Sequence, residues 1–458
     1  MMVVRNHKAD TTAETRTSDH RSEDAAIRLQ NILQRNWQSG IGGTYAVCSA
    51  HPAVIEAAIQ QALADGLLLH VESTSSQVNQ FGGYTGSKPG QFAQWVRTAA
   101  MSAGLPASRV LLGGDHLGPF PWRKEASRSA LEKAGNLVRD CVVAGYQKIH
   151  LDASMTCADD PKPGISERVI AERAAMLCRV AEDAHRELPS GSTRPVYVIG
   201  TEVPVPGGEL DDAGAIAITK ASDVHRTLEV FRLAFSELGL QSAWDRVVAL
   251  VVQPGVDFGS NAVFDYDRTK ASSLSDAITA HPGIVFEAHS TDYQSSEALA
   301  QMVQDHFAIL KVGPWLTFAY REAVLALSAI ERELFRNPSG RVSQVREVLE
   351  ETMLRDPSHW RSYYHGTEED VSRDRIYGYS DRCRYYWNQP AVQEQVAQLL
   401  QNVGAIPIPL TLISQYMPHQ YEAIRAGELP VVPKLMIQHH VRRVLRMYAE
   451  ACTVPRSA

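Results

Sequence analysis

Val110-Leu111-Leu112-Gly113-Gly114-Asp115-His116-Leu117-Gly118-Pro119 decides the reading of this chain. A short apolar run, too brief for a helix, ends abruptly in glycines, a carboxylate and an imidazole. That shape suits a strand buried on both faces whose end opens onto a polar edge. The same shape recurs at residues 43–48, 67–72, 148–152, 196–202, 247–253, 284–289 and 308–312. Between these runs lie segments whose apolar residues return every three or four positions: 52–64, 90–103, 128–144, 166–185, 223–238 and 295–304, with 320–335 after the last. Eight strands alternating with helices predict an α/β fold of the (β/α)8, or TIM-barrel, type. A doubly wound sheet is the alternative. It does not need eight such units, and no GxGxxG follows the first strand.

Beyond residue 335 the pattern changes. Residues 342–354, 391–403, 413–425 and 432–447 carry helical periodicity without a strand signal, and an aromatic and basic segment, 377–387, lies among them. The expected organisation is a disordered polar tail over 1–25, a barrel over 26–335 and a helical C-terminal extension over 336–458 packed on the barrel. The totals exclude several classes. A net charge of −7 argues against a nucleic-acid binder or a basic membrane-surface protein. No apolar run reaches the length of a membrane span. The 6 cysteines form no CxxC pair, which fits a reducing, cytoplasmic setting. The tail lacks the apolar core of a secretory signal.

In a barrel of this kind the C-terminal strand ends carry the chemistry. There the sequence places Ser49 and His51, Glu72, Asp115 and His116, Asp152, Glu202, Gln253, Glu287 and His289, and Lys311. So many charges at one end would not be tolerated as an unpaired core. His116 and His289, on strands three and seven, point to a divalent ion, with Glu202 or Gln253 completing the ligands. Imidazoles with oxygen donors suit Zn2+ first and Mn2+ second. Asp115, Asp152 and Glu287 are the expected proton carriers. Ser49, Glu72 and Gln80 are candidate substrate contacts. The glycines of Gln80-Phe81-Gly82-Gly83-Tyr84-Thr85-Gly86 suit an anion cradle or a lid, and equally an ordinary turn. Lys311 reads as a charged lysine binding oxygen rather than a Schiff-base amine. Arg382, within Tyr379-Ser380-Asp381-Arg382 and near Arg375 and Arg384, could meet a phosphate or simply form salt bridges.

Taken together, Val47 to Pro52, Gln77 to Gly86, Gly113 to Pro119, Lys148 to Ser154, Gly200 to Gly208, Glu287 to Gln294 and Leu310 to Pro314 resemble one family. It is the family of the tagatose-bisphosphate aldolase non-catalytic subunit and tagatose-6-phosphate 4-epimerase. Ile413-Ser414-Gln415-Tyr416 extends the likeness, which covers about residues 40 to 450. The resemblance implies a metal-dependent epimerase acting at C4 of a phosphorylated ketohexose in galactitol and tagatose catabolism. Alternatively, it implies a stabilising partner of a class II aldolase catalytic subunit. Either is compatible with a homo-oligomer. A more distant likeness to class II aldolases matches Asp115-His116 and His289 to their metal region. Their strand-six histidine has no counterpart, because Gln253 stands near that place.

Overall fold

Each of the eight apolar runs coincides with one strand to within three residues at its ends, and the strands close on themselves because none has a face left for water. The computed structural model of the protein describes residues 24–201, 216–335 and 342–453. The strands are β1 (Thr44–Val47), β2 (Leu69–Thr74), β3 (Val110–Leu117), β4 (Lys148–Leu151), β5 (Val196–Ile199), β6 (Val247–Val252), β7 (Val285–Ala288) and β8 (Phe307–Val312). They run parallel in sequential order around a closed barrel, with β8 paired to β1 through Ala46 opposite Lys311. A two-stranded ribbon, Asp257–Phe258 with Val263–Phe264, follows β6.

Helix α1 (Ala25–Ser39) precedes the barrel. The outer layer is α2 (Pro52–Asp65), α3 (Pro89–Ser102), α4 (Ser127–Val143), α5 (Glu167–Arg186), α6 (Ala221–Glu237), α7 (Arg268–Ile278), α8 (Ser296–Gln304) and α9 (Pro314–Leu334). Two of these helices escape the periodicity argument. In α1 the carboxylate of Asp24 accepts from the Ala26 amide, an N-cap at the edge of the stretch read as tail. In α7 the serine-rich sequence is a weak helix former, and the Asp267 cap is its only clear start signal. Leu29 and Leu33 of α1 pack with Leu111, Val198, Val251, Val285 and Ile309, so α1 plugs the N-terminal mouth of the barrel.

The C-terminal helices are α10 (Val345–Arg355), α11 (Glu368–Tyr377), α12 (Pro390–Gly404), α13 (Leu410–Tyr416), α14 (Pro418–Arg425) and α15 (Pro433–Thr453). The single helix expected over 413–425 is two, because Pro418 lacks an amide hydrogen and forces Met417 out of the helical region, to φ −139° and ψ 61°. Helix α15 returns to the barrel and packs on α2, α8 and α9. Tyr448 donates to the Thr291 carbonyl at 2.7 Å, and the Gly43 amide donates to the Cys452 carbonyl at 3.1 Å. All six cysteines are free thiols. Among the described residues no helix is long and apolar enough to cross a membrane.

Candidate active site

Strand alternation sets the site. On β4, Ile149 and Leu151 face the helices, so Lys148, His150 and Asp152 at the intervening positions face the barrel interior. The same rule turns Glu72 of β2, Asp115 of β3, Glu287 of β7 and Lys311 of β8 inward. All these side chains are buried. Lys148 Nζ lies 2.5 Å from Glu72 Oε1 and 2.6 Å from Glu287 Oε2. Lys311 Nζ contacts Glu72 and lies 2.8 Å from Asp115 Oδ1 and 3.6 Å from Glu287 Oε1. Burial alone would lower the Lys311 pKa, yet Asp115, Glu72 and Glu287 hold it well above the usual value. It is an ammonium ion, not a free amine.

Four side chains, Asp115, His150, Glu287 and His289, bring donor atoms within 4.8 Å of one another and form a buried cluster that could hold a divalent cation. Three observations test the fit. The donors, two imidazoles and two carboxylates, match a transition ion or zinc. His150 Nε2 is buried without a hydrogen-bond partner. Burial pushes His289 down to about 4, against the pull of Glu287 and Asp115, so its imidazole is neutral and free to coordinate. Charge agrees: among the described residues the carboxylates of Glu72, Asp115, Asp152 and Glu287 face two ammonium groups, Lys148 and Lys311. Before the histidines are counted, that leaves the charge of one divalent cation to be balanced.

His116 stands beside this cluster. Its Nδ1 is 2.9 Å from Asp152 Oδ2, its Nε2 is 3.8 Å from Asp115 Oδ1, and its ring is 4.9 Å from that of His289. Burial opposes its protonation, but Asp115 and Asp152 outweigh burial and raise its pKa. Asp152 is held in turn by the amide and hydroxyl of Ser154, at 3.1 and 2.6 Å. Both His116, at φ 48°, and Ser290, at φ 53°, adopt left-handed backbone, a strain of about 1–3 kcal/mol each that marks a constrained site. The glycines of β3 and its loop answer to neighbouring protein atoms rather than to a ligand. A Cβ on Gly113 would come within 2.8 Å of Glu72 Cγ, and one on Gly118 would lie 1.5 Å from the Asp152 carbonyl oxygen.

Above the cluster opens a cavity of about 570 Å³, lined by Cys48, Asp115, His116, His289 and Lys311 from the barrel, with Gly83 and Tyr84 from the loop after β2. The C-terminal region contributes His359, Tyr363, Arg382, Arg384 and Tyr385 to the same cavity. Its attachment is firm. Arg321 of α9 pairs with Asp381 at 3.0 Å, and the Tyr293 hydroxyl donates to the Tyr379 carbonyl at 2.6 Å. Arg382 is 2% exposed, stacks on Tyr363 and touches the Tyr385 hydroxyl at 3.3 Å. Its Nε and Nη2 are buried without partners. Arg384 spends Nη1 on the Ser380 and Asp381 carbonyls and Nη2 on Tyr385. Burial opposes ionisation of the Tyr385 phenol, but Arg384 and Arg382 outweigh it and lower its pKa.

The structure thus gathers Asp115, His116, His289, Lys311, Gly83 and Arg382 around one cavity, with Glu287 in the cluster and Asp152 behind His116. Glu72 lies beneath it as the counter-charge of the lysines. Other candidates are engaged elsewhere. Gln253 Oε1 accepts from the Gly255 and Val256 amides, and Gln80 donates to the Lys133 carbonyl of α4. The Ser49 hydroxyl accepts from the His51 amide, and Gly82 does not line the cavity. Arg375 pairs with Glu350 and Glu368. Glu202 lies outside the described residues. His150 was not foreseen as a donor, though its place between Ile149 and Leu151 was a readable signal. Tyr363, Tyr385 and His359 had none, because only the tertiary fold brings them to the strand ends.

The comparisons with known proteins agree with this architecture. A crystal structure of a probable tagatose 6 phosphate kinase from Sinorhizobium meliloti 1021 superposes with a TM-score of 0.82 at 42% identity, over 90% of this chain and 100% of that one. Two aldolase structures overlap far more loosely. One is a putative fructose-1,6-biphosphate aldolase from Coccidioides immitis, with 12% identity, a TM-score of 0.39 and 83% and 98% coverage of this chain and that one. The other is the YdjI aldolase from Escherichia coli K12, with 9% identity, a TM-score of 0.41 and 82% and 97% coverage. At that level of overlap nothing about chemistry transfers. The family match spans residues 29–453, nearly all of the described structure, and the chain belongs to the D-tagatose-1,6-bisphosphate aldolase subunit GatZ/KbaZ-like family.

Proposed function

We propose that the chain is a metal-dependent epimerase that interconverts D-tagatose 6-phosphate and D-fructose 6-phosphate at C4. The observation that carries this reading is the convergence, in one cavity, of the Asp115, His150, Glu287 and His289 cluster with a buried guanidinium, Arg382, that lacks an anionic partner. A buried cation of this kind calls for an anion, and a planar guanidinium suits a phosphate.

C4 of a ketohexose is two bonds from the carbonyl, so its hydrogen is not acidic and direct deprotonation is ruled out by chemistry. Retro-aldol cleavage fits better. A base takes the C4 hydroxyl proton, and the C3–C4 electron pair moves into the ketone fragment as an enediolate. The aldehyde fragment turns over, the bond re-forms on its other face, and the proton returns to oxygen. A divalent cation, with Zn2+ favoured and Mn2+ second, would supply Lewis acidity at the ketone oxygens when held by the four-residue cluster. His116, fixed at Nδ1 by Asp152, is oriented to take and return the hydroxyl proton at Nε2. Lys311 holds Asp115 in place and adds positive charge beside the developing oxyanion. Arg382 holds the phosphate end, and the walls contributed by the C-terminal region retain the aldehyde fragment until it re-adds.

A second reading has one support, the family description as an aldolase subunit. In it the chain stabilises a class II aldolase catalytic partner. One experiment separates the two. The purified chain alone, supplied with Zn2+ or Mn2+, is given tagatose 6-phosphate labelled with deuterium at C4. We expect fructose 6-phosphate that keeps the label. Loss of the label would sink retro-aldol chemistry. No conversion by the metal-replete chain, together with faster turnover by an added class II aldolase, would favour the subunit reading.

A further inference from the structure

Beside the catalytic cavity lies a second chamber of about 300 Å³. It is walled by the loop after β1, the start of α3 and the segment leading into α12. We propose that this chamber binds an uncharged polyhydroxylated molecule, a free sugar or sugar alcohol, at a site distinct from the metal cluster. The inference does not rest on the epimerase reading.

The chemistry of the walls points to that class. Aromatic faces come from Phe92, Trp95 and Trp387, the surfaces on which the C–H face of a sugar packs. Between them stand polar groups without charge: the side-chain amides of Gln91, Asn388 and Gln393 and the hydroxyl of Ser87. Among the described residues no aspartate or glutamate lines the chamber, and Arg384 is its only Arg or Lys. That guanidinium already donates to the Ser380 and Asp381 carbonyls and to the Tyr385 hydroxyl. Burial pushes His51, another wall residue, down to about 4, so at neutral pH it adds no charge. A phosphate or carboxylate would therefore enter with no uncommitted counter-charge, whereas hydroxyl groups would be matched.

Two buried polar atoms among the wall residues lack partners: the indole Nε1 of Trp387, which can only donate, and Nδ1 of His51, which can donate or accept. An unanswered buried donor keeps its full desolvation penalty. A hydroxyl both accepts and donates, so a polyol is the class of occupant able to answer both atoms, whereas a hydrocarbon answers neither. The chamber shares Cys48, Gln77, Tyr84, Gly313 and Arg384 with the catalytic cavity, and the Tyr84 ring packs at 4.6 Å against Tyr385. An occupant would thus touch the wall that the substrate touches from the other side.

The test is isothermal titration calorimetry on the full chain, treated with chelator so that binding cannot run through the metal cluster. The probes are a panel of unphosphorylated hexoses and hexitols, with inorganic phosphate as the charged control. We expect saturable binding of at least one neutral probe, one molecule per chain, with Kd on the order of 1 mM or tighter. Trp387→Phe keeps the ring and loses the donor, and should weaken binding about tenfold. Gln393→Ala, an exposed substitution in the first turn of α12, should weaken it severalfold without risk to the fold. Both variants should keep the turnover that the metal-loaded parent shows. The proposal fails if no neutral probe saturates, if phosphate displaces the bound probe, or if binding ignores both substitutions and therefore lies elsewhere.

Discussion

The lower and upper halves of the barrel interior are equally buried and chemically opposite. In the lower half Leu29 and Leu33 of α1 meet Leu111, Val198, Val285 and Ile309, each 1% exposed or less. In the upper half Glu72, Lys148, His150 and Glu287 are each 0% exposed. Depth alone therefore does not define a core here. The lower half gains from removing apolar surface from water. The upper half loses hydration for every charge it holds, and recovers that loss only where each charge meets its partner. What it gains is a set of dipoles and charges fixed before substrate arrives. The apolar floor supplies the stability that lets the charged ceiling exist.

Substitutions in the two halves should separate activity from stability. The largest effect is expected from His150→Ala in the upper half. On the proposed reading it should abolish binding of a divalent ion and lower turnover by about 10³-fold or more, with a melting temperature close to that of the metal-free parent. Metal analysis beside a rate measurement decides it, and an unchanged metal content would remove His150 from the cluster. Lys148→Met comes next. It leaves Glu72 and Glu287 without the ammonium between them and should cost about 3–5 kcal/mol in urea unfolding, as well as activity. Leu33→Ala, in the lower half, should cost about 2–5 kcal/mol in the same unfolding experiment, yet leave any kcat and KM of the folded protein unaltered. If Leu33→Ala changed the kinetics as Lys148→Met does, the two halves would not be separable. The smallest effect is expected from Arg382→Ala at the cavity wall. It should raise KM for a phosphorylated sugar by an amount matching about 1.5–3 kcal/mol while hardly touching a non-phosphorylated analogue. Equal loss on both substrates would show that Arg382 acts through packing.

Much of the fold was legible because buried parallel strands announce themselves as uninterrupted apolar runs. The amphipathic helices between them were legible for the same reason. The two helices that were not read carry their apolar stripes in less telling settings. Helix α7 is serine-rich, and α1 buries its apolar side against the barrel mouth, a partner distant in sequence. In the site, residues at strand ends were easy to place, and Asp115, His116, His289 and Lys311 do line one cavity. Gln253 and Gln80 occupy equally suggestive positions. Hydrogen bonds to the Gly255 and Val256 amides and to the Lys133 carbonyl take them away, and no sequence pattern reports such bonds. His150 was passed over because it lies within a strand that reads as core, although its alternation with Ile149 and Leu151 marked it as inward-facing.

The close approach of Gly118 to the Asp152 carbonyl bears on how this site can be altered. In many barrels each loop behaves as an exchangeable cassette, and new specificities are made by grafting one loop at a time. Here the turn after β3 is moulded onto the end of β4, and the Asp152 side chain in turn orients His116 at the end of β3. The two loops are one inheritable part. A graft that imports either alone brings a side chain into the other's backbone and disturbs both. Redesign of this site therefore has to exchange them as a pair, or leave both alone and work from the C-terminal wall.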